Sequence, residues 1–193
     1  MRHGWVYIYE RPPATTRFDE LVRQIELYGL SLTYPPTGRV IRLGLPGHQV
    51  MTTREELRDR FTNSSQVGFI FYLNSATSVV SCWDKLDKGI WREGYSLDGN
   101  SEQESRLVIN MLADLFRQRA SRGTAFAFVA DEHAELHRDF HWDDFVIGDT
   151  VPPEWPMQIG LSRDSLQVDK IPTEIYNVER SDAYTLFQKK ATD

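Results

Sequence analysis

Residues 101–130 read SEQESRLVINMLADLFRQRASRGTAFAFVA, and this stretch decides the fold. Ser101-Glu102-Gln103-Glu104 is a capping box, in which the serine hydroxyl accepts the N–H of residue 104 and the Glu104 carboxylate reaches back. Behind it Leu107, Val108, Met111, Leu112, Leu115 and Phe116 recur at intervals of three and four, the spacing of one apolar helix face. Arg117, Arg119 and Arg122 suit the negative end of the helix dipole, and Gly123 supplies a left-handed stop. Thr124 to Ala130 is then apolar and aromatic, a strand fed by the helix after a tight turn. An amphipathic helix leading straight into an apolar strand predicts helices laid on a sheet.

Strand signals surround this unit. Val67 to Leu73 is apolar on both faces, as a central buried strand would be. Ser78 to Trp83 and Ile90 to Leu97 follow as two more, and Trp5 to Tyr9 opens the chain with β-branched and aromatic residues. Thr16 caps a helix whose stripe is Phe18, Leu21, Val22, Ile25 and Tyr28, with Gly29 as its stop. Leu30 to Tyr34 and Val40 to Leu45 read as short strands. Thr53-Arg54-Glu55-Glu56 is a second capping box, opening a helix through Phe61. The N-terminal half thus runs β-α-β-β-α-β, the order of a ferredoxin-like unit. Beyond Thr150 the prolines at 152, 153 and 156 break regular structure, and Gln158–Leu161, Glu174–Val178 and Ala183–Phe187 read as edge strands. The expectation is one α+β domain over residues 1–193, an antiparallel-rich sheet with packed helices, its sub-units if any being 1–73 and 74–193.

Composition bounds the rest. Forty per cent apolar and 12% aromatic residues exclude a disordered chain. The one cysteine, Cys82, excludes an internal disulfide and fits a reducing compartment. No apolar run approaches the ~20 residues that span a bilayer, and Val6 to Glu10 is no leader sequence, so a cytoplasmic protein is expected.

Charge is the least evenly distributed property. Asp131 to Glu154 holds eight acids (Asp131, Glu132, Glu135, Asp139, Asp143, Asp144, Asp149, Glu154) against Arg138. That segment is −7 in a chain of −6, so everything outside it sums to +1. A concentrated negative surface speeds encounter with positive partners and repels nucleic acid and anionic membranes. Trp142 lies within it, and an aromatic bordered by carboxylates has the composition of a protein-binding hot spot. The residues expected to meet a protein partner are Asp131, Glu132, Glu135, Asp139, Trp142, Asp143 and Asp144.

Catalytic patterns are weaker. His133, His137 and His141 stand four apart, and the first two share a helix face on which a carboxylate could complete a metal site. The zincin pattern needs glutamate directly after its first histidine, where Ala134 stands and Glu135 comes one later. The run therefore reads as an amphipathic helix with Leu136 and Phe140 inward, and neither metal nor cofactor is expected. Cys82, mid-strand beside Trp83, reads as a structural cysteine. Gly44-Leu45-Pro46-Gly47-His48 lacks both phosphate-loop spacings, and its proline removes an amide, so it reads as a turn. The arginine groups 54/58/60 and 117/119/122 carry carboxylate neighbours such as Glu55, Glu56 and Asp114, a pattern of helix ion pairs.

The Val67–Leu73 strand, the Cys82-Trp83 strand, the capped helix from Ser101 and the acidic block together make a chain that resembles, in general style, the immunity proteins of bacterial polymorphic toxin systems. The resemblance implies a stoichiometric inhibitor that binds a cognate toxin domain and occludes its active site, with the acidic surface mimicking a polyanion. Two alternatives stay open: a small metal-dependent hydrolase using His133, His137 and Asp131 or Glu135, and a phage-type inhibitor of a host defence protein acting through the same acidic surface.

Overall fold

Side-chain alternation in the first strand sets the layers. In the computed structural model, which describes residues 4–11, 17–44, 47–132 and 140–190, β1 (Trp5–Glu10) turns Val6, Ile8 and Glu10 to one face and Trp5, Tyr7 and Tyr9 to the other. The elements that follow are α1 (Arg17–Leu27), β2 (Thr33–Tyr34), β3 (Arg39–Leu43), β4 (Gln49–Thr52), α2 (Arg54–Asn63), β5 (Gln66–Tyr72), β6 (Ser78–Lys85), β7 (Trp91–Ser96), α3 (Glu102–Ser121), β8 (Ala125–Asp131), α4 (Trp142–Val146), β9 (Gln158–Ser162), β10 (Tyr176–Arg180) and β11 (Tyr184–Lys189). Among the described residues, eleven strands join one sheet in the order β10-β11-β9-β8-β1-β7-β6-β5-β3-β2, with β4 on β3, and every pairing between them is antiparallel.

This order departs from the ferredoxin-like unit expected for the N-terminal half. Short connections make β5, β6 and β7 a meander, and its growth takes the place beside β5. β1 instead lies between β7 and β8, so segments 1–73 and 74–193 interleave in one sheet rather than forming sub-units. The tail also differs from its expectation. β9 is enclosed by β8 and β11, and of the three tail strands only β10 ends the sheet.

The helices α1, α2 and α3 cover one face. Their core is dense in rings: Phe18 of α1 meets Phe69 and Trp83 of the sheet, and Phe61 of α2 meets Trp83, with centroids 5.4–6.3 Å apart. Such pairs add roughly 0.5–1.5 kcal/mol each beyond area burial. α3 crosses β1, β8, β9 and β11, and its Phe116 approaches β9 so closely that a Cβ on Gly160 would come within 2.5 Å of the ring. Gly160 is thus a space requirement of helix packing. Both capping boxes form as expected, at Thr53/Glu56 and Ser101/Glu104. Glu104 also accepts from the Thr77 hydroxyl, which fastens the β5–β6 turn to the start of α3.

Two residues of α3 stand elsewhere than the spacing suggests. Leu107 is 48% exposed, outside the buried stripe, whereas Leu112 is 1% exposed. Arg119 is 1% exposed, in the core rather than at a solvated helix end. Its side chain reaches Glu10 and Glu93 at 2.8 and 2.9 Å. Among the described residues no helix is long and apolar enough to cross a membrane.

Leu112→Ala should therefore destabilise the protein by about 2–5 kcal/mol, and Leu107→Ala by less than about 1 kcal/mol. Denaturant midpoints of the two variants check the stripe, and equal shifts would contradict it. The Glu104 link predicts a pH effect. Hydrogen bonds from Thr77 and Ser101 lower the carboxyl from 4.5 to about 2. A depressed folded-state pKa gives stability that is present above 4.5 and is lost as pH falls towards 2. The stability gap between wild type and Glu104→Gln should close across that window, as read from denaturant midpoints at successive pH values.

Candidate functional site

The second face of the sheet has its own core. Ala127 and Val129 of β8, Ile159 and Leu161 of β9 and Phe187 of β11 are buried there beneath Trp142, Phe145 and Val146 of α4 and Ile171 of the β9–β10 connection. The five-residue α4 is too short to persist alone, and the spacing 142, 145, 146 gives it one apolar face to bury. Full burial of each such side chain contributes roughly 1.5–3 kcal/mol. Trp155 joins by an edge contact to Phe145 at 5.4 Å.

Polar contacts fix α4 at its N-terminal end. The Trp142 indole N–H donates to Asp131 at 2.9 Å. Asp143 accepts from the Tyr9 hydroxyl at 2.8 Å and from Arg92 Nη1 at 2.7 Å. Register makes this possible: Asp84, Arg92 and Tyr9 lie directly across from one another on β6, β7 and β1. Arg92 Nη2 also donates to Asp84 at 2.7 Å, and Gln66 Nε2 donates to the other Asp84 oxygen at 2.7 Å. The guanidinium lies 5.5 Å above the Tyr7 ring.

None of the shifted groups in this network is poised for proton transfer at neutral pH. Burial pushes the Tyr7 and Tyr9 hydroxyls far above their ordinary value, with the Asp143 charge adding to the effect at Tyr9. Burial, then the Asp84 charge, pushes the Cys82 thiol up to about 11, which keeps it protonated and weakly nucleophilic. Cys82 is half-buried, hydrogen-bonded to Asp84 at 3.8 Å, in keeping with a structural role.

The residues expected to meet a partner are divided by this arrangement. Asp131 and Trp142 are 4% and 5% exposed and bonded to each other, inside the layer and not on its surface. Asp143 is held by Arg92 and Tyr9, Glu132 is half-buried, and Asp144 is exposed. Glu135 and Asp139 lie outside the described residues, as do His133 and His137. His141 is exposed at the N-cap of α4, with no capping bond from its side chain.

What the sequence did not reveal is the spatial extent of the acidic surface. The β9–β10 connection folds onto the same core, and Gln167 Nε2 donates to the Gly148 carbonyl while Lys170 pairs with Asp149 at 2.9 Å. It adds Asp164, Asp169 and Glu174, all exposed, to the acids of the segment that begins with α4. Residues 140–175 carry seven acids and two bases, a net −5 in a chain of −6. The signal was available as acids spaced through 163–175, but only the fold joins them to α4. Searches of protein-family models, curated proteins and solved structures found no match to the chain.

Arg92→Ala should destabilise by about 2–4 kcal/mol, because it leaves Asp84 and Asp143 largely buried without their cation. Asp143→Asn, which keeps an acceptor for Tyr9, should cost less. Urea titration of both variants checks this ranking.

Proposed function

We propose that the chain is a protein-binding inhibitor of the immunity-protein kind, which occludes a positively charged site on a toxin domain with the acidic layer of residues 140–175. The observation that supports this reading is the net −5 of residues 140–175, packed on one face of the sheet with Asp144, Asp164, Asp169 and Glu174 exposed. A predominantly acidic surface focuses its field, raises the encounter rate with a basic partner and mimics a polyanion. The internal ion pairs serve the same end. Arg92 holds Asp143 and orients α4, while the exposed acids remain at the rim, where charge acts mainly on association.

The test begins with the product of the adjacent gene. Co-expression of the chain should abolish that product's toxicity, and the purified pair should associate faster at low salt. Joint reversal of Asp144, Asp164, Asp169 and Glu174 to lysine should slow association at least ~10-fold, flatten its salt dependence and leave dissociation nearly unchanged. Full-strength, salt-insensitive binding by the reversed variant would sink the acidic-layer reading.

A further inference from the structure

The opposite end of the sheet carries a different surface. β4 pairs with β3 alone, and its other edge meets no strand among the described residues. The hydrogen-bond alternation shows which groups that edge presents. Gly44 N–H donates to the His48 carbonyl at 2.7 Å, so residues 44 and 48 form a hydrogen-bonded pair that closes the β3–β4 hairpin. Gly47 permits the turn at φ +98°. Counting from that pair in the observed register, 42 with 50 and 40 with 52 are also hydrogen-bonded pairs, whereas 43 with 49 and 41 with 51 are not. The N–H and C=O groups of Gln49 and Met51 therefore point outwards, away from β3.

Natural edges are blunted by charges, prolines or bulges. Gln49-Val50-Met51-Thr52 has no charge and no proline, and Val50 and Met51 are 39% and 60% exposed. Beside the strand runs a groove of about 660 Å³ walled by α2, with Glu56 and Asp59 balanced by Arg42 and Arg60. A chain of net −6 repels its own copy over the acidic layer, whereas here the charges lining the groove sum to zero and Arg39, donating to Met51 Sδ at 3.3 Å, adds a positive one.

We propose that β4 is a self-association edge, at which two copies of this chain pair antiparallel about a twofold axis through Val50. The register is self-complementary. Gln49 of each copy exchanges both backbone bonds with Met51 of the other, giving four hydrogen bonds, and Val50 faces Val50 across the axis in a non-hydrogen-bonded pair. In this arrangement α2 and its copy flank the seam on the same face, and Arg60 meets the acids of the opposite helix rather than like charge alone. The seam falls below the ~1,600 Å² of a standard interface, so the dimer depends on concentration. This assignment is independent of the acidic layer.

Sedimentation equilibrium of the full chain should show the mass rising from 22.4 kDa towards twice that value between about 10 μM and about 1 mM. Met51→Pro removes an outward N–H without removing a ladder bond, and Val50→Lys sets two like charges against each other at the axis. Each variant should stay monomeric over the same range while keeping the wild-type circular dichroism spectrum. Mild oxidation should cross-link Val50→Cys, whose α-carbons would lie about 4.5 Å apart, and should not cross-link Met51→Cys, which is offset beyond the ~7 Å limit. A wild-type monomer throughout the range overturns the assignment, leaving the edge to a foreign strand. A dimer indifferent to both Met51→Pro and Val50→Lys overturns it equally.

Discussion

One buried guanidinium, that of Arg119, joins the parts on which the rest of this fold depends. The sheet consists of a β2–β7 portion and a β8–β11 portion, and β1 pairs with both, through β7 and β8. Arg119 leaves α3 and meets Glu10 at the end of β1 and Glu93 on β7, while its Nε donates to Gln24 of α1 at 2.9 Å. Tyr95 donates to the same Glu93 carboxylate at 2.7 Å. Two helices and two strands are registered at one point. Such a cluster is expensive, because every ion in it has left water. Its value lies in the cost of every other arrangement: any slip of α3 or β1 strands a buried charge, so the cluster penalises wrong packings more than it stabilises the right one.

The strand period extends this control to the opposite face. Tyr9 and Glu10 are neighbours on β1, and Arg92 and Glu93 are neighbours on β7, so each pair sends one side chain to either face. On the helix side Glu10 and Glu93 hold Arg119. On the other side Tyr9 and Arg92 hold Asp143 and with it α4. Four consecutive-pair residues at the sheet's centre therefore position both layers, and the place of the acidic surface follows from the packing of α3.

Much of this was legible in the sequence, and the missing parts share a physical cause. Capping boxes at Thr53 and Ser101, the stripe carrying Leu112 and the strand from Val67 are local signals, and each formed where its spacing put it. Pairing partners are not local. Nothing in Trp5–Glu10 states that its neighbours begin some 85 residues later, and the β-α-β-β-α-β order pointed to a compact unit that the hairpin meander displaces. The position of Arg119 near a helix end suggests an ordinarily solvated cation, because Glu10 and Glu93 are invisible at that distance along the chain. For the same reason the acidic block looks like surface along its whole length when only the sequence is considered. Within it Asp131 and Trp142 satisfy each other inside, and further exposed acids, Asp164, Asp169 and Glu174, come from another segment.

The separation of charge along the sheet allows its two ends to act independently. From β9, beneath the acidic layer, to the open edge of β4 there are seven strand spacings, roughly 30 Å once twist is allowed for. The Debye length at physiological salt is only ~8 Å, so the field of the layer is largely screened before it reaches the far edge. A basic partner at residues 140–175 would therefore be electrostatically blind to β4. Two copies joined at β4 would keep their acidic layers at the outer ends, several screening lengths apart. Placing the acidic segment of residues 140–175 at the far end of the sheet would reconcile attraction for a positive partner with an edge that a second copy could approach.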